Sequence, residues 1–241
     1  MAKNIPLQER IIYALDVDSH EKAMAWVDRL GSQVHFYKVG LQLFLAGWWK
    51  SIDAITERGH KVMCDLKFFD IDATVALAVR EASKHNVSFL TVHGPESIVR
   101  AAVNARGEAT RILAVTVLTS FDRHDLEDLG LPGVPVEELV LSRAKRALQA
   151  GCDGVVASGL EAARLRREFG DRFFVVTPGI RPGSFHEEPQ DEQKRVATAL
   201  QAIRSGADHL VVGRPIRDAA DPLAMVARLQ AEITAALSDP S

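Results

Sequence analysis

The sequence predicts an α/β barrel of eight strand–helix units, and three observations carry that expectation. Short β-branched or aromatic runs alternate along the chain with longer amphipathic stretches, the pattern of repeated βα units around a parallel sheet. Eight such runs can be counted, enough to close a sheet on itself. The length of 241 residues falls where one α/β barrel makes a single domain, expected here over residues 1–241. A doubly wound open sheet is the alternative that the same pattern allows.

The first strand is expected at Ile11 to Asp16 and the second at His35 to Val39, each an apolar run that ends in or near charge. Lys61 to Leu66, Phe89 to His93 and Ile112 to Leu118 follow as strands three to five. Gly154 to Ala157, Phe173 to Thr177 and His209 to Gly213 complete the set. Helical periodicity fills the gaps, for instance at His20 to Leu30, Ala73 to Lys84, Val136 to Ala150 and Leu160 to Phe169. The segment from Pro178 to about Gln193, rich in Pro, Gly and charge, has no clear period. After the seventh strand of a barrel it would lie over the C-terminal face, where barrel active sites are built, and is expected to be a lid.

Composition excludes several function classes. With 29 basic against 32 acidic residues the net charge is −3, too little and of the wrong sign for a nucleic-acid surface. Any anionic substrate must therefore be held by a local positive cluster. The two cysteines, Cys64 and Cys152, lie far apart in apolar segments, so neither a metal site nor a disulfide framework is indicated and a reducing cytoplasm is expected. No run of 18 apolar residues occurs, and the N-terminal ten residues lack the apolar core of a signal peptide.

Several expected strands end in charge. Side chains alternate faces along a strand, so Asp65 and Lys67 share one face at the C-terminal end of the third, with Asp70 three residues on. Lys38 stands at the end of the second strand and Asp16 at the end of the first. Any one of these, taken alone, is an ordinary solvated strand end. Five of them on the catalytic face of a barrel form a candidate polar network.

A second constellation runs from strand eight into a helix. Gly213 allows close backbone approach, Arg214 offers bidentate contacts, and Pro215 suits the first helical position, which together suggest a phosphate cradle. The competing account is a plain strand-to-helix turn with a surface arginine. Arg181, in the lid segment, could complete a positive ring. Thr119 could bond the edge of a planar ligand or cap a helix. His93 is expected to be a structural rim histidine, Trp48 and Trp49 to pack within a helical stretch, and Glu161 to Glu168 to form a solvated helix face.

At this point the motifs resemble a known family, the orotidine 5'-phosphate decarboxylases. DLKFFDI at Asp65 to Ile71 is similar to that family's D-x-K-x-x-D signature. ALDVD from Ala14, YKVG at Tyr37 to Gly40, AVTVLTS at Ala114 to Ser120, VTPGIRP at Val176 to Pro182 and VVGRPI ending at Ile216 occur in the family's order. The resemblance implies a homodimer, no cofactor and no metal, and a small-molecule substrate, orotidine 5'-phosphate. It implies a charge network of Lys38, Asp65 and Lys67 completed by Asp70 of the other subunit, whose Thr74 also meets the ligand. Asp16 and Lys38 would hold the ribose and Thr119 the pyrimidine. Arg181, Gln193, Gly213 and Arg214 would take the phosphate or close over it, with Gln190 an alternative to Gln193. Where the family often reads D-I-P-N-T, this chain has Asp70-Ile71-Asp72-Ala73-Thr74, which adds a carboxylate.

Overall fold

The computed structural model describes residues 3–183 and 195–238. Its strands are β1 (Ile11–Ala14), β2 (Phe36–Gly40), β3 (Lys61–Phe68), β4 (Phe89–Val92), β5 (Arg111–Val115), β6 (Gly154–Val156), β7 (Phe174–Thr177) and β8 (His209–Val212). All pair in parallel in that order and β8 closes on β1, so the sheet is a barrel and the open-sheet alternative is excluded. Helix α1 (Leu7–Arg10) precedes β1, and α2 (His20–Leu30) follows it. Between β2 and β3 come α3 (Leu41–Gly47) and α4 (Lys50–Glu57); α5 (Asp72–Ser83) and α6 (Glu96–Ala105) follow β3 and β4. Then come α7 (Arg123–Asp128), α8 (Val136–Gln149), α9 (Ala162–Phe169), α10 (Ala199–Arg204), α11 (Arg214–Arg217) and α12 (Pro222–Ser238).

Side-chain alternation sorts the strands into two packing layers. Outward residues such as Ile11, Tyr13, Tyr37, Val62, Leu90 and Leu210 pack under the helices. Inward residues, among them Ile12, Ala14, Phe36, Met63, Phe89, Leu113, Val115, Val156 and Val211, fill the barrel. At Gly154 there is no room for more than hydrogen, because a Cβ would stand 2.5 Å from the carbonyl oxygen of Phe174. At the N-terminal end His209 lies among Phe36, Phe89 and Phe174, with ring centroids 5.2–5.8 Å away. Its Nδ1 bonds the Glu9 carbonyl at 2.9 Å, and burial pushes its pKa down to about 4.

Where expectation and structure differ, tertiary contacts decide. Strand β3 continues through Lys67 to Phe68, two residues past the expected stop at Leu66. Strand β5 leaves the ladder at Val115, and Thr116 turns its hydroxyl onto the Val156 carbonyl at 2.9 Å. Trp48 and Trp49 break the helical stretch between α3 and α4: Trp48, at φ 48°, is exposed, while Trp49 stacks on His85 with ring centroids 4.0 Å apart. The charged run Glu161 to Glu168 is not a solvated face throughout, since Glu161 and Leu165 are buried and Arg166 is bonded to Asp208 at 2.7 Å. Pro215 occupies the second position of α11 instead of the first. Asp72, where the family often has proline, is the first residue of α5, a favourable place for a carboxylate beside the helix's unpaired N–H groups.

Candidate active site

The inward faces of the first three strands become charged as they reach the C-terminal mouth. Ile12 and Ala14 lead to Asp16, Phe36 leads to Lys38, and Met63 leads to Asp65 and Lys67. These side chains meet. Lys67 Nζ donates to Asp65 Oδ1 at 2.9 Å and Lys38 Nζ to Asp16 Oδ1 at 3.0 Å, with Lys38 Nζ also 3.8 Å from Asp65 Oδ2. Asp65 is nearly enclosed. Burial alone would raise its pKa, but the Lys38 and Lys67 ammonium groups and hydrogen bonds from Lys67 and Thr91 outweigh it and hold the carboxyl below the usual range.

A local distortion of β3 places Lys67. Met63 and Cys64 pair with Phe89 and Leu90, yet Phe68 pairs with Val92, so β3 spends four residues where β4 spends two. Within this bulge Lys67 adopts φ 50°, a left-handed conformation costing a non-glycine residue about 1 kcal/mol or more. Its N–H, displaced from the ladder, donates to Thr91 Oγ1 at 3.0 Å, and the Thr91 hydroxyl donates in turn to Asp65 Oδ1 at 3.0 Å.

The charges line one wall of a cavity of about 270 Å³ at the mouth of the barrel. Met63, Val115, Val156 and Val211 give it an apolar floor, Thr119 and Ser120 approach from the β5 side, and Gly179 and Arg181 after β7 with Gly213 and Arg214 after β8 complete the lining. Arg181 is partly buried, and desolvation followed by the nearby positive charge of Arg214 lowers its pKa. Two guanidinium groups crowded together in this way form a site suited to a multiply charged anion. At Gly213 a Cβ would come within 3.3 Å of Ala14 Cβ, so the backbone here stays close to the cavity wall.

Of the residues singled out by sequence, Asp16, Lys38, Asp65, Lys67, Thr119, Arg181, Gly213 and Arg214 all line this cavity. Asp70 and Thr74 do not; both are exposed at the start of α5, where Asp70 Oδ1 accepts the Ile71 N–H at 2.6 Å. Gln193 and Gln190 lie outside the described residues. His93 is fixed by a 3.0 Å bond from its Nδ1 to the Val115 carbonyl, a structural rim histidine as expected.

Sequence reading missed two supports of the site. Thr91 is the polar residue of an otherwise apolar β4, at the inward parity of Phe89, and that parity was its only signal. The other is a pair, Arg195 and Glu161. Arg195 reaches from the segment after β7 to bond the Glu161 carboxylate and the carbonyls of Val117 (3.2 Å) and Leu118 (2.9 Å), just before Thr119. Glu161 also accepts from the Ser158 N–H at 2.8 Å and from its hydroxyl.

Comparison with known proteins agrees with this geometry. Residues 9–229 match the model of the orotidine 5'-phosphate decarboxylase / HUMPS family. The chain belongs to that family. It is an enzyme of the decarboxylase type by its curated relatives: orotidine 5'-phosphate decarboxylase of Methylococcus capsulatus is 53% identical over 96% of this chain and 94% of its own. The protein of the same name from Xanthomonas oryzae pv. oryzae is 51% identical over 95% and 93%. Among solved structures, orotidine 5'-phosphate decarboxylase from Lactobacillus acidophilus superposes with a TM-score of 0.81 at 35% identity, covering 93% of this chain and 99% of its own. The decarboxylase family's barrel is thus the fold found here, with the charged network at its mouth. No helix among the described residues is long and apolar enough to cross a membrane.

Proposed function

We propose that the protein removes CO2 from orotidine 5'-phosphate to give uridine 5'-phosphate, a step of pyrimidine biosynthesis, and does so without a cofactor. The observation that carries this is the Asp65–Lys67 ion pair beside an apolar floor, with two guanidinium groups, Arg181 after β7 and Arg214 after β8, lining the same cavity. Such a set of charges suits a ligand that carries both an anionic ring substituent and a phosphate. Family membership supports the same substrate.

The phosphate is assigned to Arg181, Gly213 and Arg214, with Gln193 or Gln190 joining from the lid at residues 178–193. Asp16 and Lys38 take the ribose hydroxyls, and Thr119 the pyrimidine edge. Breaking the bond from C6 to the carboxylate leaves its electron pair on C6, in the ring plane and with little resonance help. The Lys67 ammonium stabilises that charge and then transfers a proton to C6, becoming an amine that regains a proton from solvent. An ammonium held about 4 Å from the developing charge contributes roughly 4 kcal/mol at an effective dielectric near 20, about three powers of ten in rate. Asp65 repels the substrate carboxylate until it departs as neutral CO2. Phosphate contacts remote from C6 act by supplying binding energy for closure and water exclusion.

We also propose a homodimer with shared sites, in which Asp70 and Thr74 of one subunit complete the cavity of the other. Their exposure beside the mouth supports it, as do the exposed apolar side chains Leu41, Leu45, Trp48, Phe69, Ile71 and Leu77 that follow β2 and β3. A soluble cytoplasmic enzyme is the setting this chemistry fits.

The test is an ultraviolet assay of orotidine 5'-phosphate with the purified protein in excess chelator. Loss of the orotate chromophore with formation of uridine 5'-phosphate supports the proposal. No conversion, with or without Mg2+, points instead to the Mg2+-dependent sugar-phosphate enzymes of the wider family, and nucleotide binding with no turnover points to a binding barrel.

A further inference from the structure

We propose that Thr91 is a positioning residue for the decarboxylation, its single hydroxyl fixing both the backbone of Lys67 and the carboxylate of Asp65; this rests on the function proposed above. Hydrogen-bond polarity fixes the direction of both contacts. A backbone N–H can only donate, so the 3.0 Å contact from the Lys67 N–H to Thr91 Oγ1 occupies a lone pair of the hydroxyl. The hydroxyl proton is then directed to Asp65 Oδ1, also at 3.0 Å, an acceptor kept ionised by its two lysines.

Geometry adds to this. The β3 bulge sets Asp65, Leu66 and Lys67 against Thr91 alone, between the paired positions Leu90 and Val92. The ladder therefore offers the Lys67 N–H no carbonyl, and Thr91 takes the place of one. That bond anchors to β4 the residue that adopts φ 50°, the conformation from which its Nζ reaches Asp65 Oδ1. With Oδ1 accepting from both Lys67 and Thr91, Oδ2 is the oxygen turned toward Lys38. Thr91 is fully buried and is absent from the cavity wall, so it acts through Lys67 and Asp65 and does not touch the substrate.

The experiment compares the wild type with Thr91→Val and Thr91→Ser in steady-state decarboxylation, with circular dichroism and thermal melts as the check on folding. Valine keeps the shape and loses the hydroxyl; serine keeps the hydroxyl and loses a methyl. We expect kcat to fall by about 100-fold in T91V, the scale of an ångström-level misplacement of a reacting group, with KM within about twofold because the phosphate and ribose contacts are untouched. T91S should return kcat to within about threefold of the wild type. Thr91→Ala carries the same expectation as valine should T91V fail to fold. A folded T91V or T91A with wild-type kcat overturns the proposal, as does T91S falling as far as T91V, since both place the effect in packing. A wild type without turnover would instead sink the proposed function itself.

Discussion

Arg195 and Glu161, 34 residues apart in the chain, form a buried ion pair that ties the segment after β7 to the start of α9 and to the loop carrying Thr119. Their side chains are 11% and 5% exposed, so water screens neither charge and each depends on the other.

Removing one member of this pair should therefore cost far more than removing both. Glu161→Leu alone strands the Arg195 guanidinium and Arg195→Met alone strands the Glu161 carboxylate, and a loss of about 3–5 kcal/mol is expected for each. The double variant Glu161→Leu with Arg195→Met should lose less than either single variant, yet remain below the wild type because the Val117 and Leu118 carbonyls also lose their donor. Denaturant midpoints of the four proteins give the cycle; additive losses would show that the pair is not coupled.

Buried His209 should make stability fall in mild acid. Its pKa is about 4 in the folded protein against a reference value of 6.5, so between these values the unfolded chain binds a proton that the native barrel does not. Stability then rises with pH through that window, by on the order of 3 kcal/mol, and levels off above it. Asp65 acts in the same sense at lower pH, because a carboxyl depressed by its lysines contributes stability that is lost as pH falls below its unfolded value of 3.8. Unfolding curves from pH 4 to 7 for His209→Gln should be flatter than the wild type's; parallel curves would place the proton uptake elsewhere.

Lys67→Ala should lower kcat/KM by at least about three powers of ten, the electrostatic share assigned to its ammonium. Asp65→Asn should lower kcat as well, both by removing repulsion of the substrate carboxylate and by leaving Lys67 a neutral acceptor in place of the carboxylate it bonds at 2.9 Å. Unchanged turnover in Asp65→Asn would take the carboxylate out of the mechanism.

How much of this could be read from sequence depended on whether the signal was local. Asp65 and Lys67 share a face by strand alternation, and a charge at the end of an apolar run is visible without a fold. Lys67's backbone conformation was not legible, because the bulge exists only relative to the residues β4 offers opposite it. Thr91 read as an ordinary β-branched strand residue for the same reason. Glu161 was misplaced on a solvated face because its countercharge, Arg195, arrives from beyond the next strand, which no helical periodicity records. The strand order followed from the number of repeats, whereas the exits of β3 and β5 from the ladder depended on partners distant in sequence.

The proposed sharing of sites between subunits can be tested by mixing two inactive proteins. Lys67 lines the cavity, whereas Asp70 is exposed beside it and absent from its wall. If the partner's Asp70 completes the site, Lys67→Ala and Asp70→Asn homodimers each carry two defective sites. A heterodimer carries one site lacking both groups and one with both intact. Random reassortment of equal amounts makes half the dimers heterodimeric, so activity should recover to about a quarter of the wild type's. Were Asp70 to act within its own chain, no heterodimer would contain an intact site and the mixture would stay inactive. Adding Ile71→Glu to both variants places a charge in the exposed apolar surface next to Asp70 and should abolish the recovery by weakening association. Sedimentation of that variant as a monomer would tie the lost activity to the lost dimer.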